Sequence, residues 1–396
     1  MIQVAIMGFG TVGSGVAEVL EQNADVIAKR AGDALHIKYI LDLREFPDSP
    51  FADRIVHDFE TIAADPEIRL VAECMGGIGA ALNFVRRCLA AGKHVVTSNK
   101  ELVATHGQEL LALAEANNVN FLFEASVGGG IPILRPLTDD LAGNRLSDVY
   151  GILNGTTNYI LTQMFQNGVA FDDALKQAQA LGYAEADPSA DVDGPDACRK
   201  ICILAALAYG RHVMPDQVPT QGIRSITADD TAFASAAGMC VKLIARALRR
   251  DDGRVCCYVS PHLLPRSHML AGVNDVFNGI VVHGNAVDDV LFCGRGAGKL
   301  PTASAVVGDL VDCALHLDRR KAIGWAVGGE DVVAPVSELP MRWFVRADAA
   351  QTLPGTAIAC DIPDQQAVIT EPMTRPALDA LLAGVRALSV LPVLDM

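Results

Sequence analysis

A short apolar run, Ile2–Met7, leads directly into Gly8-Phe9-Gly10-Thr11-Val12-Gly13, and a helical pattern follows through Val16, Val19, Leu20 and Ile27. Glycines at this spacing, between a strand and a helix, permit a tight turn. They also let the backbone approach a pyrophosphate, which then sits on the helix N-terminus. The N-terminal part of the chain is therefore expected to be a parallel β/α layer that binds a dinucleotide. The next segments keep the rhythm: strands at 37–41, 70–73, 94–97 and 120–124, with helices at 80–91 and 101–116 between them. Alternation with short loops argues a doubly wound, Rossmann-type parallel sheet over residues 1–140.

After Gly128-Gly129-Gly130-Ile131-Pro132 the rhythm changes. Amphipathic helices at 158–165, 172–181 and 195–209 mix with strands at 147–153, 255–260, 279–283 and 289–293, and a helix over 302–317 closes the series. This predicts an α+β second domain over 141–322. The tail, 340–396, reads as strands at 341–346 and 366–370, a helix at 375–386 and a last strand at 388–394, punctuated by Pro340, Pro354 and Pro363.

Bulk properties narrow the partners. A chain of 396 residues with 51% hydrophobic and 20% charged residues suits two or three folded domains. A formal net charge of -15 repels nucleic acid and anionic membranes, so neither is expected as a partner. No apolar run reaches the roughly 18 residues of a membrane span, and no signal-peptide pattern precedes Ile2. The ten cysteines form no CxxC pair. They read as core thiols in a reducing compartment, and a cytoplasmic location is expected.

Five carboxylates crowd into Glu185-Ala-Asp187-Pro-Ser-Ala-Asp191-Val-Asp193-Gly-Pro-Asp196, with Lys200 one helical turn further on. Carboxylates this dense repel one another unless a metal, a lysine or a cationic substrate sits among them. Helix capping by Asp193, with Pro195 in the first turn, accounts for only part of the block. Asp196 and Lys200 share a helix face and can pair, and the apolar positions around them put Lys200 at the wet end of the helix, facing a cleft. Lys100 follows a helix cap at Asn99, in a first turn where the helix dipole disfavours a cation. It lies at the C-terminal edge of the sheet, where open α/β folds bind ligands. Asn154-Gly155-Thr156 offers donors ahead of a helix, suited either to capping or to a substrate carboxylate. At the end of the second strand Asp42 favours a ribose hydroxyl and Arg44 a 2′-phosphate, so the choice between NAD and NADP stays open. Glu124-Ala-Ser-Val127-Gly-Gly129-Gly-Ile131 reads as a domain link or as backbone oxygens converging on a hard cation.

Taken together, these motifs resemble homoserine dehydrogenase. The likeness runs in order through residues 1–320, including Gly92-Lys-His-Val-Val-Thr-Ser-Asn-Lys100, the acidic block and Gly294-Arg-Gly-Ala-Gly-Lys-Leu-Pro-Thr-Ala-Ser304. It implies NAD(P)-dependent interconversion of L-homoserine and L-aspartate 4-semialdehyde on the path to threonine, methionine and isoleucine, by a homodimer or homotetramer. It further implies that Lys200 and Lys100 are catalytic and that Asp196 supports Lys200. The amino-acid substrate would be held by Glu185, Asp191, Asn154, Gly155 and Thr156. The cofactor would touch Gly8, Phe9, Gly10, Thr11, Val12, Gly13, Asp42, Arg44, Met75 and Lys100. A structural sodium or other monovalent cation would lie at Glu124, Val127, Gly129 and Ile131. Leu41 stands where relatives often carry a basic residue, and the tail resembles an ACT module lacking its first helix and second strand. Two other readings compete: a dehydrogenase of another small amino-aldehyde, and a silent nicotinamide-binding sensor.

Overall fold

The computed structural model describes residues 1–329 and 331–394. It divides into two compact units: Met1–Gly143 with Ala206–Met214 and Arg295–Gly328, and Asn144–Ala205 with Pro215–Gly294 and Gly329–Met396.

The first unit is built on β1 (Ile2–Met7), β2 (Leu35–Leu41), β3 (Ile55–Val56), β4 (Ile68–Glu73), β5 (His94–Thr97) and β6 (Phe121–Leu122). Their order is β3-β2-β1-β4-β5-β6, and every pair is parallel. This is the doubly wound sheet that the alternation predicts. Burial explains the continuous apolar runs: Val4, Ile6, Leu70, Ala72 and Val96 are covered by Val16 and Leu20 of the helix Thr11–Gln22. The last strand is shorter than expected, because Glu124 already opens a 3-10 turn, Glu124–Ser126. The helix expected to close the second domain is Lys299–Leu315, and its buried face, Ala303, Val306, Leu310 and Cys313, packs into the core of the first unit.

The second unit carries β7 (Leu146–Ile152), β8 (Met239–Arg249), β9 (Val255–Pro265), β10 (Phe277–Gly284), β11 (Asp288–Arg295), β12 (Arg342–Asp348), β13 (Thr356–Ala357), β14 (Gln365–Ile369) and β15 (Ala387–Val393). They form one sheet in the order β11-β10-β7-β8-β9-β15-β12-β14-β13. The tail is thus continuous with the sheet, through a parallel pairing of Val393 with Leu263. Within the tail β12 is antiparallel to both β14 and β15, and β13 is antiparallel to β14. The helix Arg375–Leu381 is shorter than the expected span 375–386.

β8 has no counterpart in the sequence expectation. Lys242 and Arg246 are four residues apart, which suggests a helix face, yet they lie on one face of a strand, Lys242 buried and Arg246 half-buried. Arg246 is held by Asp148 of the neighbouring β7, with Nε 3.0 Å from Oδ2. The helix Ala228–Ala236 was also unpredicted; Thr227 and Asp230 form its capping box, and Arg346 of β12 donates to Asp230 at 2.9 Å. Among the described residues no helix is long and apolar enough to cross a membrane, and all ten cysteines are free thiols, seven of them buried.

The Asp148–Arg246 pair gives a direct test of this sheet. Arg246→Met leaves a buried carboxylate without its cation, which costs about 3–5 kcal/mol of unfolding free energy. Urea denaturation monitored by circular dichroism measures the loss, and the Asp148→Asn/Arg246→Met double variant is expected to recover part of it.

Candidate active site

In the first unit the glycine turn does what its spacing requires. Gly8 has φ +93°, and a Cβ on Gly13 would stand 1.8 Å from the Gly8 carbonyl oxygen, so turn and helix close only with glycine there. A Cβ on Gly10 would meet nothing within 4 Å, and this open side faces a cleft of about 470 Å³. The cleft is lined by Gly8, Gly10, Asp42, Arg44, His57, Met75 and the stacked rings of Phe59 and Phe84, whose centroids are 4.1 Å apart. Asp42 anchors its rim. One carboxylate oxygen accepts the Phe9 N–H at 2.8 Å, and the Arg44 guanidinium spans both oxygens at 3.0 Å. The Arg44 guanidinium and the N–H groups beside it hold the Asp42 carboxyl well below the usual carboxylate range.

At the C-terminal ends of β4 and β5 a polar net fixes the approach to Lys100. Glu73 is fully buried; it accepts from the Met75 N–H at 2.8 Å and from the Thr97 hydroxyl. Burial pushes its carboxyl upward despite those bonds. Thr97 in turn accepts from the Asn99 N–H, and Asn99 caps the helix Lys100–Ala116 through the Leu102 N–H at 3.1 Å. Lys100 is the first residue of that helix and is half-buried.

The glycine-rich loop after β6 is held from behind. The Glu124 carboxylate accepts the N–H groups of Ile133, Leu134 and Arg135 at 2.7, 2.9 and 2.8 Å. Its own N–H donates to Asp309 at 2.8 Å, and Arg135 pairs with the same aspartate at 2.7 Å. Burial, and next the Glu124 charge, push the Asp309 carboxyl up to about 8, against the pull of Arg135.

The second unit brings the acidic block and the Asn154 motif together. Lys200 and Asp196 lie one turn apart on the helix Pro195–Tyr209, 7% and 3% exposed, with Nζ 2.7 Å from Oδ2. Lys200 also donates to the Leu153 carbonyl at 2.7 Å. Asn154 caps the helix Gly155–Asn167 through its side-chain oxygen, while its amide nitrogen donates to Asp191 at 2.7 Å and Asp196 at 2.8 Å. The Thr156 hydroxyl donates to the Tyr183 carbonyl at 2.6 Å, tying in the loop that leads to Glu185.

Asn154, Asp191, Asp196 and Lys200 therefore form one hydrogen-bonded cluster. Lys200 is buried rather than at a wet helix end, because a carbonyl and a carboxylate replace its water. Glu185 stays exposed, and its carboxylate makes no hydrogen bond among the described residues. Asp193 lies outside the cluster's bonds, in a pair with Arg224 at 2.6 Å. Sequence reasoning missed Glu73, Phe59, Phe84 and Asp309. Glu73 had a signal, a carboxylate closing the apolar run of β4; the others surface only once the chain is folded.

A dinucleotide cleft and a buried lysine–carboxylate cluster in one chain define a nicotinamide-dependent dehydrogenase of a small charged substrate. Comparison with known proteins makes this specific. The family model described as "Homoserine dehydrogenase, NAD binding domain" matches residues 8–124, and "Homoserine dehydrogenase" matches 132–311. A homoserine dehydrogenase of Synechocystis sp. is 44% identical over 320 residues, covering 78% of this chain and 73% of that protein. The crystal structure of a homoserine dehydrogenase from Thiobacillus denitrificans superposes with a TM-score of 0.91 at 34% identity, covering 100% of this chain and 98% of the other. A hyperthermophilic archaeal homoserine dehydrogenase mutant in complex with NADPH gives a TM-score of 0.68 at 29% identity, over 79% of this chain and 98% of that one. The chain belongs to the homoserine dehydrogenase family: it is an NAD(P)-dependent oxidoreductase of amino-acid biosynthesis that acts on an amino-acid substrate.

Asn154 is the hinge of the cluster, so its loss is expected to be costly. Asn154→Ala removes a helix cap and two bonds to carboxylates, for about 2–4 kcal/mol in chemical denaturation. Asn154→Asp keeps the cap but sets a third carboxylate against Asp191 and Asp196, and is expected to destabilise more at pH 8 than at pH 5.

Proposed function

We propose that the cluster around Lys200 is the catalytic pole of homoserine oxidation and aspartate 4-semialdehyde reduction. The observation that carries this is the buried Lys200–Asp196 pair, fixed from outside its helix by the Leu153 carbonyl and the Asn154 amide. The nicotinamide supplies or accepts the hydride. As negative charge grows on the former aldehyde oxygen, an ammonium placed there stabilises it and delivers a proton. We assign that delivery to Lys200 in the reductive direction, with Asp196 keeping it charged. Lys100 orients the substrate and adds electrostatic stabilisation. Asp191 and Glu185 hold the α-ammonium, and the first N–H groups of the helix at Gly155 and Thr156 hold the α-carboxylate.

The same proposal assigns the cofactor to Gly8–Gly13, Asp42, Arg44, Met75 and Lys100, within residues 1–140. It assigns the amino acid to residues 141–322 and a shortened ACT-like role to 340–396, in a cytoplasmic homodimer or homotetramer. The loop residues Glu124, Val127, Gly129 and Ile131 would hold a monovalent cation through backbone oxygens: the Glu124 carboxylate already accepts three N–H groups of the loop, and carbonyls are hard donors. Such an ion would brace the loop.

Lys200→Met is expected to lower kcat by ~10²–10⁴ while dinucleotide affinity survives. Stopped-flow and steady-state absorbance at 340 nm with homoserine measure it, and near-normal turnover removes Lys200 from the mechanism. Asp42→Ala is expected to weaken NADH binding by about tenfold and NADPH binding by less, since the lost acceptor serves a ribose hydroxyl and the lost charge opposes a 2′-phosphate. Fluorescence titration with both nucleotides reads the difference.

A further inference from the structure

Lys242 is a buried ammonium that the proposed chemistry does not use. It lies within β8 at 2% exposure. Its Nζ donates to the Asn158 side-chain oxygen at 3.0 Å, the Val273 carbonyl at 2.6 Å and the Asn274 side-chain oxygen at 3.0 Å. All three acceptors are neutral, which makes this a costly place for a charge. An ammonium has three donors on one atom and can bind three oxygens from separate segments at once; no neutral side chain does that.

Those segments share a location. Asn158 belongs to the helix Gly155–Asn167, whereas Val273 and Asn274 begin a strap, residues 273–278, that runs into β10. Helix and strap bind each other as well. The Asn158 amide donates to the carbonyls of Val273 at 3.1 Å and Phe277 at 3.0 Å, and the Asp275 N–H donates to the Thr162 hydroxyl at 3.1 Å. Lys242 thus fastens both to the central sheet.

Two contacts carry this anchorage to the substrate cluster. A Cβ on Gly155 would stand 2.8 Å from the Val276 carbonyl oxygen, so the strap touches the backbone of the first helical residue. Asn278 ends the strap. Gly279 pairs with Ile152, which sets Asn278 beside Leu153, the residue whose carbonyl holds Lys200. Asn278 is fully buried, neither end of its amide has a hydrogen-bond partner among the described residues, and its oxygen lies 3.5 Å from the Cβ position of Gly155.

We infer that Lys242 is a positioning residue for the amino-acid site: through Asn158 and the strap it fixes the first turn of the helix Gly155–Asn167, and with it the seat of the substrate carboxylate. This rests on the assignment of Gly155 and Thr156 to that carboxylate. A cavity of about 230 Å³, lined in part by Thr162, Lys242 and Asn274, adjoins the anchor, so Lys242→Met meets no steric obstacle there.

The test is a kinetic double-mutant cycle of Lys242→Met and Asn158→Ala in the full-length enzyme. Each single variant is expected to raise KM for homoserine roughly 10- to 100-fold, the loss expected for a charged buried hydrogen bond. kcat is expected to stay within about threefold, and dinucleotide affinity to be unchanged. The double variant is expected to be clearly less impaired than the product of the two single effects, because both residues fasten the same helix–strap junction. Additive effects, or an unchanged KM in folded Lys242→Met, overturn the inference. Should Lys242→Met fail to fold, Asn274→Ala and Lys242→Arg probe the same anchor: KM rises when the acceptor is lost and returns to within about threefold of the parent with arginine, which keeps charge and donors. A fall in kcat at constant KM in Asn274→Ala overturns the inference equally. Failure of the active-site assignment is read separately, from normal turnover in Lys200→Met, and leaves the KM shift of Lys242→Met measurable.

Discussion

Everything in the cluster around Lys200 depends on how a buried charge pair is kept from collapsing into a simple i,i+4 ion pair. Lys200 and Asp196 sit on one helix, so the helix alone sets their separation. An isolated pair of this kind satisfies itself and offers little to a ligand. Here the Leu153 carbonyl draws Lys200 from one side, and the Asn154 amide engages Asp196 from the other. Both come from the end of β7 and the helix cap that follows it. The charges are therefore oriented by neutral groups on a rigid sheet end, at the cost of desolvating both ions.

Among the described residues three lysines are buried, and they differ in what compensates them. Lys93 donates to the carbonyls of Asp65 and Ile68, and burial pulls its ammonium down. Lys242 likewise has neutral acceptors, and burial pulls it down to about 8. Lys200 alone of these has a direct carboxylate partner in Asp196. A carboxylate partner favours the ammonium form, whereas neutral oxygens leave the cost of burying the charge less fully offset. This contrast fits the roles proposed above for Lys200 and Lys242.

Much of the first unit was legible in the sequence because its signals are local. A strand, a glycine turn and a helix are neighbours in the chain, and parallel strands buried on both faces read as apolar runs. The Asn154 motif and the acidic block were legible as residue types, but their meeting was not, since Asn154 reaches Asp191 and Asp196 across 37 and 42 residues. β8 was hidden for a different reason. Periodicity assumes that cations face water, and Lys242 and Arg246 both point into the unit, one toward neutral oxygens and one toward Asp148. The position of the helix Lys299–Leu315 was equally hidden: nothing in its apolar face says which core it fills.

The tail shows how a sheet edge can be closed by a short junction. A sheet ending at β9 would expose a row of unpaired backbone groups, an invitation to wrong pairing. β15 covers part of that edge with a single parallel residue pair and one further bond, from the Leu394 N–H to the Leu263 carbonyl at 2.8 Å. So short a junction cannot hold the tail by backbone bonds alone. Arg346 supplies a second tie: it is buried at 4% exposure and bonds Asp230 and Thr227 at 2.9 and 3.0 Å, the two residues that cap the helix Ala228–Ala236. One guanidinium of the tail thus braces a helix cap in the body of the unit and pairs with its aspartate, so loosening either side frees a buried charge in the other.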